Sequence, residues 1–228
     1  MMSGAPRTIA GLLAHGADDA TALSAPGGAR LSYFALRALV AQVGQSLFAR
    51  GIGAGDRVAI VLDNGPEMAA AFLAIAAAAA AAPLNPGYRA DEFEFYLTDL
   101  RAKLLVVAGG KDSPAIAVAR KLRIPIAHLA AQPARGAGSF TLEFAHPAEA
   151  PAATSPSPRA PQEATSPAGA TGREPTPDDI ALVLHTSGTT SRPKIVPLAH
   201  RNVCASARNV SESLALTVSD RGLVIMPL

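Results

Sequence analysis

Hydrophobic positions change period several times along the chain, and each change marks the border of a helix or a strand. Leu36, Leu39, Val40, Val43 and Leu47 recur at helical spacing behind Ser32, whose hydroxyl suits the N-cap. "GIGAGD" ends that helix, and Arg57 to Leu62 follows as a short apolar strand. "DNGPE" then opens a second helix, with Asn64 or Gly65 as the cap and Pro66 at the first helical position, where a missing N–H costs nothing. The run "AAAFLAIAAAAAAA", Ala69 to Ala82, reads as a buried helix, too short and alanine-rich to prefer a membrane. Further on, Phe93, Tyr96, Leu97 and Leu100 share one helical face, and "KLLVVAGG" is a buried strand closed by glycines. Asp112 to Leu122 forms another helix, and "IPIAHL" another strand.

Helices alternating with short apolar strands predict an α/β fold, a mostly parallel sheet flanked by helices on both faces. Residues 1–145 carry this pattern. From 146 to 177 it vanishes into a stretch rich in Pro, Ala, Ser and Thr, with too little apolar surface to offset the entropy of ordering it. That segment reads as a flexible insertion; a proline-rich docking module is the alternative. Residues 178–228 return to order, with a strand from Asp178 to Leu184 and a hydroxyl-rich loop. A helix from Asn202 to Ala215 follows, with Val203, Ala207, Val210 and Leu214 on one face, and then a further strand begins in "RGLVIMPL". A sequence stopping at the start of a strand implies an incomplete domain.

Composition narrows the function. At 49% hydrophobic residues the chain folds, and a formal charge of +2 with scattered cations gives no footprint for nucleic acid or an anionic membrane. The single cysteine, Cys204, cannot form an internal disulfide and reads as a small filler on a helix. With no secretory signal at the N-terminus, a cytoplasmic location is expected. The five histidines show no spacing suited to a zinc site. "GIGAGD" precedes a strand instead of linking strand to helix, so it is no dinucleotide fingerprint. Oligomeric state has no signature here.

The chemistry concentrates in "LHTSGTTSRPKIVPLAH", Leu184 to His200, directly behind the strand. In open α/β sheets ligands bind beyond the carboxyl ends of strands. Hydroxyls at Thr186, Ser187, Thr189, Thr190 and Ser191, a glycine at Gly188, and cations at Lys194 and Arg192 are the donors a polyphosphate needs. Pro193 stiffens the exit. The segment lacks the second glycine of a Walker loop, and an ordinary surface loop uses the same residue types.

"VLHTSGTTSRPK", Val183 to Lys194, resembles the signature of the adenylate-forming, AMP-binding enzymes, among them the acyl-CoA synthetases. "GIGAGDRVAIVLDNGPEM" through "DLRAKLLVV" resembles the first half of that family's large N-terminal domain. With "PLNP" and Ser191 in place of the commoner glycine, the oxalate-CoA ligase-like branch is the nearest resemblance. The resemblance implies the N-terminal portion of an ATP-dependent acyl-CoA ligase. A carboxylic acid would attack the α-phosphate of ATP, with Mg2+, and coenzyme A would then displace AMP. It further implies that Thr186, Ser187, Gly188, Thr189, Thr190, Ser191 and Lys194 hold the β- and γ-phosphates, while the magnesium ligand, the adenine contacts and most of the acid pocket belong to sequence beyond Leu228. On that basis the isolated chain is expected to be inactive, a truncated remnant or nucleotide-binding fragment being the alternative to an enzyme. Ile195 stands where the family usually carries a second glycine, and a β-branched residue there would strain a loop that needed positive φ.

Overall fold

Residues 5–145, 173–186 and 193–224 are described in a computed structural model. In chain order the elements are α1 (Ile9–Leu13), β1 (Thr21–Leu23), β2 (Leu31–Ser32), α2 (Tyr33–Phe48), β3 (Arg57–Val61), α3 (Pro66–Ala76), β4 (Ala80–Pro83) and α4 (Ala90–Leu100). Then come β5 (Leu104–Ala108), α5 (Pro114–Lys121), β6 (Ile126–Ala131), β7 (Phe140–Phe144), β8 (Ile180–Thr186), β9 (Lys194–Ala199) and α6 (His200–Ser213). Strands β1 and β2 make a small antiparallel ribbon, and the others form one sheet in the order β7-β6-β5-β3-β4-β8-β9. From β6 to β8 every pairing is parallel; the two outermost strands, β7 and β9, are antiparallel to their neighbours. The expected mostly parallel α/β sheet is therefore what the chain forms.

Residue alternation sorts the core into two layers. Val58 and Ile60 of β3, with Leu104 and Val106 of β5, face α2 and α3, where Leu36, Val43, Leu47 and Ile75 cover them. Ala59 and Val61, with Leu105 and Val107, face α4 and α5, where Phe93, Leu97 and Leu100 close the other side. Those three side chains of α4 are fully buried, each contributing on the order of 1.5–3 kcal/mol over an exposed position. The caps form as the sequence implies: Ser32 accepts from the Ala35 N–H at 3.2 Å, and Pro66 follows Gly65 at the start of α3. Glycine is required on steric grounds where the chain passes closest to α3. Gly138, at φ +80°, passes so close to α3 that an added Cβ would lie 2.5 Å from the Pro66 carbonyl oxygen.

The alanine run departs from expectation. Helix α3 ends at Ala76, and Ala80–Pro83 is instead a central strand, paired with β3 through Ala59↔Ala82 and with β8 through Ala81↔Leu182. A uniform apolar run has no period to distinguish helix from strand, and alanine's own preference is helical. Tertiary pairing overrides that preference. The Ala80 N–H donates to the Asp56 carbonyl at 2.8 Å and the Leu84 N–H to the Ile60 carbonyl at 2.9 Å, so both ends of the strand are tied to β3.

Three further differences have physical causes. The apolar face assigned to the last helix is largely exposed, with Val210 at 51% and Leu214 at 65%; α6 instead buries His200 and Cys204, half-burying Val203. Cys204 is thus the helix filler the sequence suggested, and burial pushes its thiol pKa up. The strand expected in "RGLVIMPL" is not formed over residues 221–224, where Leu223 is 86% exposed and no neighbouring strand offers a ladder; 225–228 lie outside the described residues. Strands β7 and β9 were not foreseen: β7 does alternate, with Phe140, Leu142 and Phe144 turned to the core, whereas β9 carries no clear alternation. Of the proline-rich segment, 146–172 lies outside the described residues. Its end is anchored, because Arg173 donates to both carboxylate oxygens of Asp179 at 2.6 and 2.7 Å, and Asp179 also accepts from the Thr176 N–H at 2.6 Å.

Two outcomes are expected. Ala81→Leu forces three carbons into the fully buried layer between β4 and the α2/α3 side of the core, and should lower stability by about 1–3 kcal/mol or more in urea unfolding. Asp179 titrates well below the usual carboxylate range because of the Arg173 hydrogen bonds first and the Thr176 N–H second. A depressed folded pKa stabilises above the unfolded value and is lost progressively as pH falls from there through the folded value, so Asp179→Asn should cost ~1 kcal/mol at neutral pH and steadily less as pH drops below ~4. Thermal melts across that range check this.

Candidate functional site

The β8–β9 hairpin builds the candidate site. Because β8 runs parallel to β4, its carboxyl end lies at the same edge of the sheet as the ends of β3, β4 and β5. The ladder with β9 closes at Thr186↔Lys194, preceded by His185↔Ile195 and Leu184↔Val196. Directly opposed residues share a sheet face, with Cα atoms about 5 Å apart. Thr186 and Lys194 therefore stand side by side, both exposed, presenting a hydroxyl and an ammonium together. Lys194 makes no ion pair among the described residues. Ser187, Gly188, Thr189, Thr190, Ser191 and Arg192 lie outside the described residues.

Ile195 requires a correction. It is the second residue of β9, and the described non-glycine residues with positive φ are Arg101, Arg123 and Ala215. A β-branched residue in an extended strand is at ease, so no strain arises. Its side chain is half-buried against the α4 layer of the core.

On the face opposite Thr186, spacing revealed nothing, yet the structure assembles an aromatic and acidic cluster. The His185 side chain is 5% exposed, and its Nε2 lies 3.3 Å from Asp99 Oδ2 of α4. The Tyr96 ring meets the imidazole edge-on at 4.6 Å between centroids and stacks on Tyr88 at 4.7 Å. Burial pushes the His185 pKa down, partly countered by the hydrogen bond and charge of Asp99, so the imidazole is neutral near pH 7 and Nε2–H donates. Burial, then the bond to Tyr96, pushes Tyr88 up to about 12, keeping it a phenol. Among the described residues His185 Nδ1 has no partner. The sequence contained this cluster only as Tyr96 on an apolar face and as a histidine inside the quoted motif. A second buried histidine, His200, accepts from the Ile9 N–H at 3.2 Å and ties α1 to α6.

Between the ends of β3 and β5, where the chain leaves the sheet toward opposite faces, a crevice of about 120 Å³ is lined by Leu62, Asp63, Pro86, Lys111 and Ser113, with Asp63 and Lys111 paired. It has room for a few waters and not for a nucleotide. No group of three or more His, Cys, Asp or Glu among the described residues is placed to hold a metal ion, and no described helix is long and apolar enough to cross a membrane.

Comparison with known proteins agrees with this geometry. Residues 13–228 match the AMP-binding enzyme family. A probable CoA ligase, CCL9, of Humulus lupulus is 38% identical over 225 residues, and the oxalate–CoA ligase of Arabidopsis thaliana 38% over 226; each alignment covers 97% of this chain and 40% of the relative. The chain thus spans about 40% of the length of the curated relatives it matches. Among solved structures, ATP-bound MatB of Rhodopseudomonas palustris superposes with a TM-score of 0.65 at 24% identity, over 90% of this chain and 37% of that one. A putative long-chain-fatty-acid CoA ligase of the same species gives 0.69 at 22% identity, over 96% and 51%. A fold shared with these structures and a family match running through the hairpin to residue 228 establish that the chain belongs to the AMP-binding enzymes.

Proposed function

We propose that the chain is the N-terminal portion of an ATP-dependent acyl-CoA ligase, and that Thr186, Ser187, Gly188, Thr189, Thr190, Ser191 and Lys194 hold the β- and γ-phosphates of ATP. One observation carries the reading: Thr186 and Lys194 are opposed on one face where β8 and β9 meet, at the ligand-binding edge of the sheet of an AMP-binding enzyme. A hydroxyl and an ammonium carried on opposed residues of one sheet face suit the oxygens of a phosphate group. Fixed at the end of a ladder, they lose little freedom on binding, and they favour the charge that gathers on departing pyrophosphate. In the two-step reaction, a carboxylate attacks the α-phosphate to give an acyl-adenylate and pyrophosphate, and the coenzyme A thiol then displaces AMP. The relatives' names support a CoA ligase, and an oxalate-like small acid is the substrate class we favour. With no described cluster suited to a metal, Mg2+ enters only as the partner of ATP, and no step is assigned to it on this chain.

We assign 1–145 and 178–228 to one AMP-binding domain, of which the family match covers all but the first twelve residues, with 146–177 as an insertion between its strands. The parallel pairing of β4 with β8 across that gap supports the assignment. The exposed apolar residues Val210, Leu214, Leu216 and Leu223 favour a companion reading: the 228-residue chain alone binds nucleotide without turnover.

In the full-length ligase, Lys194→Ala should lower kcat/KM for ATP by about 2–4 kcal/mol, roughly 30- to 800-fold, with pyrophosphate release as the assay. Unchanged ATP kinetics would refute the role. The isolated chain should release no AMP when given acid, ATP and coenzyme A.

A further inference from the structure

We propose that His185 is a positioning residue for the phosphate-binding segment, holding the carboxyl end of β8 in place through its hydrogen bond to Asp99 of α4. This rests on the assignment of Thr186 and Lys194 to the phosphates. The need for such an anchor follows from the ladder. Strand β4 is in register with β8 at Ala81↔Leu182, so beyond Val183 the strand's ladder partner among the described residues is β9. Among the described residues β9 is itself the sheet's last strand. The hairpin end that carries Thr186 and Lys194 would therefore be a two-stranded ribbon, marginal by itself, if nothing else gripped it.

His185 supplies the grip one residue before Thr186. A register irregularity between Ile180 and Leu182 turns the face, so that Ala181 joins the α2/α3 layer while Val183 joins the α4/α5 layer. His185 follows Val183 by two and so points at α4. There the ring is clamped between Asp99, 3.3 Å from Nε2, and the edge of Tyr96, with Tyr88 stacked behind. An apolar residue would fill this space and leave Asp99 without its donor. The buried neutral imidazole donates through Nε2, so a carboxylate on a rigid helix fixes its orientation.

The test uses the full-length enzyme with His185→Phe, His185→Gln, Asp99→Ala and the His185→Phe/Asp99→Ala double variant, beside wild type and Lys194→Ala. His185→Phe and Asp99→Ala should each raise the KM for ATP about tenfold, the worth of one hydrogen bond to a charged group, with the KM for the carboxylic acid unchanged. The double variant should be no worse than either single one, because both remove the same contact. His185→Gln, whose amide N–H can reach Asp99, should stay within about threefold of wild type for the same reason. Long-range 15N–1H NMR should find His185 with its proton on Nε2 at neutral pH, and Asp99→Ala should shift that signal. If His185→Phe does not fold, partly exposed Asp99 carries the kinetic test, since its replacement opens no core. An unchanged ATP KM in Asp99→Ala, an equal rise in both KM values, or additive losses in the double variant would overturn the proposal. If Lys194→Ala is also silent toward ATP, the phosphate assignment itself has failed.

Discussion

Everything at the site depends on a strand that has almost no side chains. β4 contributes Ala80, Ala81 and Ala82 to the sheet, and its backbone joins β3 on one side to β8 on the other. Roughly a hundred residues separate β4 from β8 along the chain, so that one parallel pairing brings Thr186, at the end of β8, into the sheet. Methyl groups let the layers on both faces approach closely. On the helical side, Ala78 lies 3.8 Å from where Gly44 of α2 would carry a Cβ, so small residues answer one another across that contact as well. Dense packing of this kind leaves little slack, and the register of β8 inherits its rigidity.

Such a strand is the hardest to read from sequence. The amphipathic helices were legible because polar and apolar residues alternate at their own period: Leu36 through Leu47, and Phe93 through Leu100, fell where the spacing placed them. β3, β5 and β6 were legible as short branched runs between turn signals. Inside Ala69 to Ala82 the residues are too alike for either period to show, and the helix-to-strand change after Ala76 is dictated by hydrogen bonds to β3 that only the assembled sheet provides. The α6 error has the opposite origin. Periodicity identified an apolar face correctly, yet periodicity does not say what covers it, and the described fold packs the neighbouring His200–Cys204 face instead.

The candidate site divides in the same way. The proposed chemistry comes from a local pattern, hydroxyls, a glycine and a lysine behind a strand, in a segment that the family match covers. The mechanics of the site were not legible. Ile195 looked like a β-branched residue in a turn, whereas it is a strand residue opposite His185, because the hairpin ladder extends further than the composition of the loop suggests. The pairing of His185 with Asp99 joins residues 86 positions apart, a distance at which no spacing rule operates.

On the proposed assignment the two faces of the hairpin end have separate tasks. Thr186 and Lys194 present donors outward, while His185 and Ile195, one position back along the ladder, bind the same strands to α4. Strand alternation enforces the division, since neighbouring residues must point to opposite faces. A donor that reaches for a charged phosphate is pulled away from the sheet, and the load passes through the backbone to the residue beside it. Placing the histidine immediately before the first hydroxyl shortens that path to one peptide unit. On that assignment the geometry offered to the ligand is tied to α4, a helix whose Phe93, Leu97 and Leu100 are wholly buried.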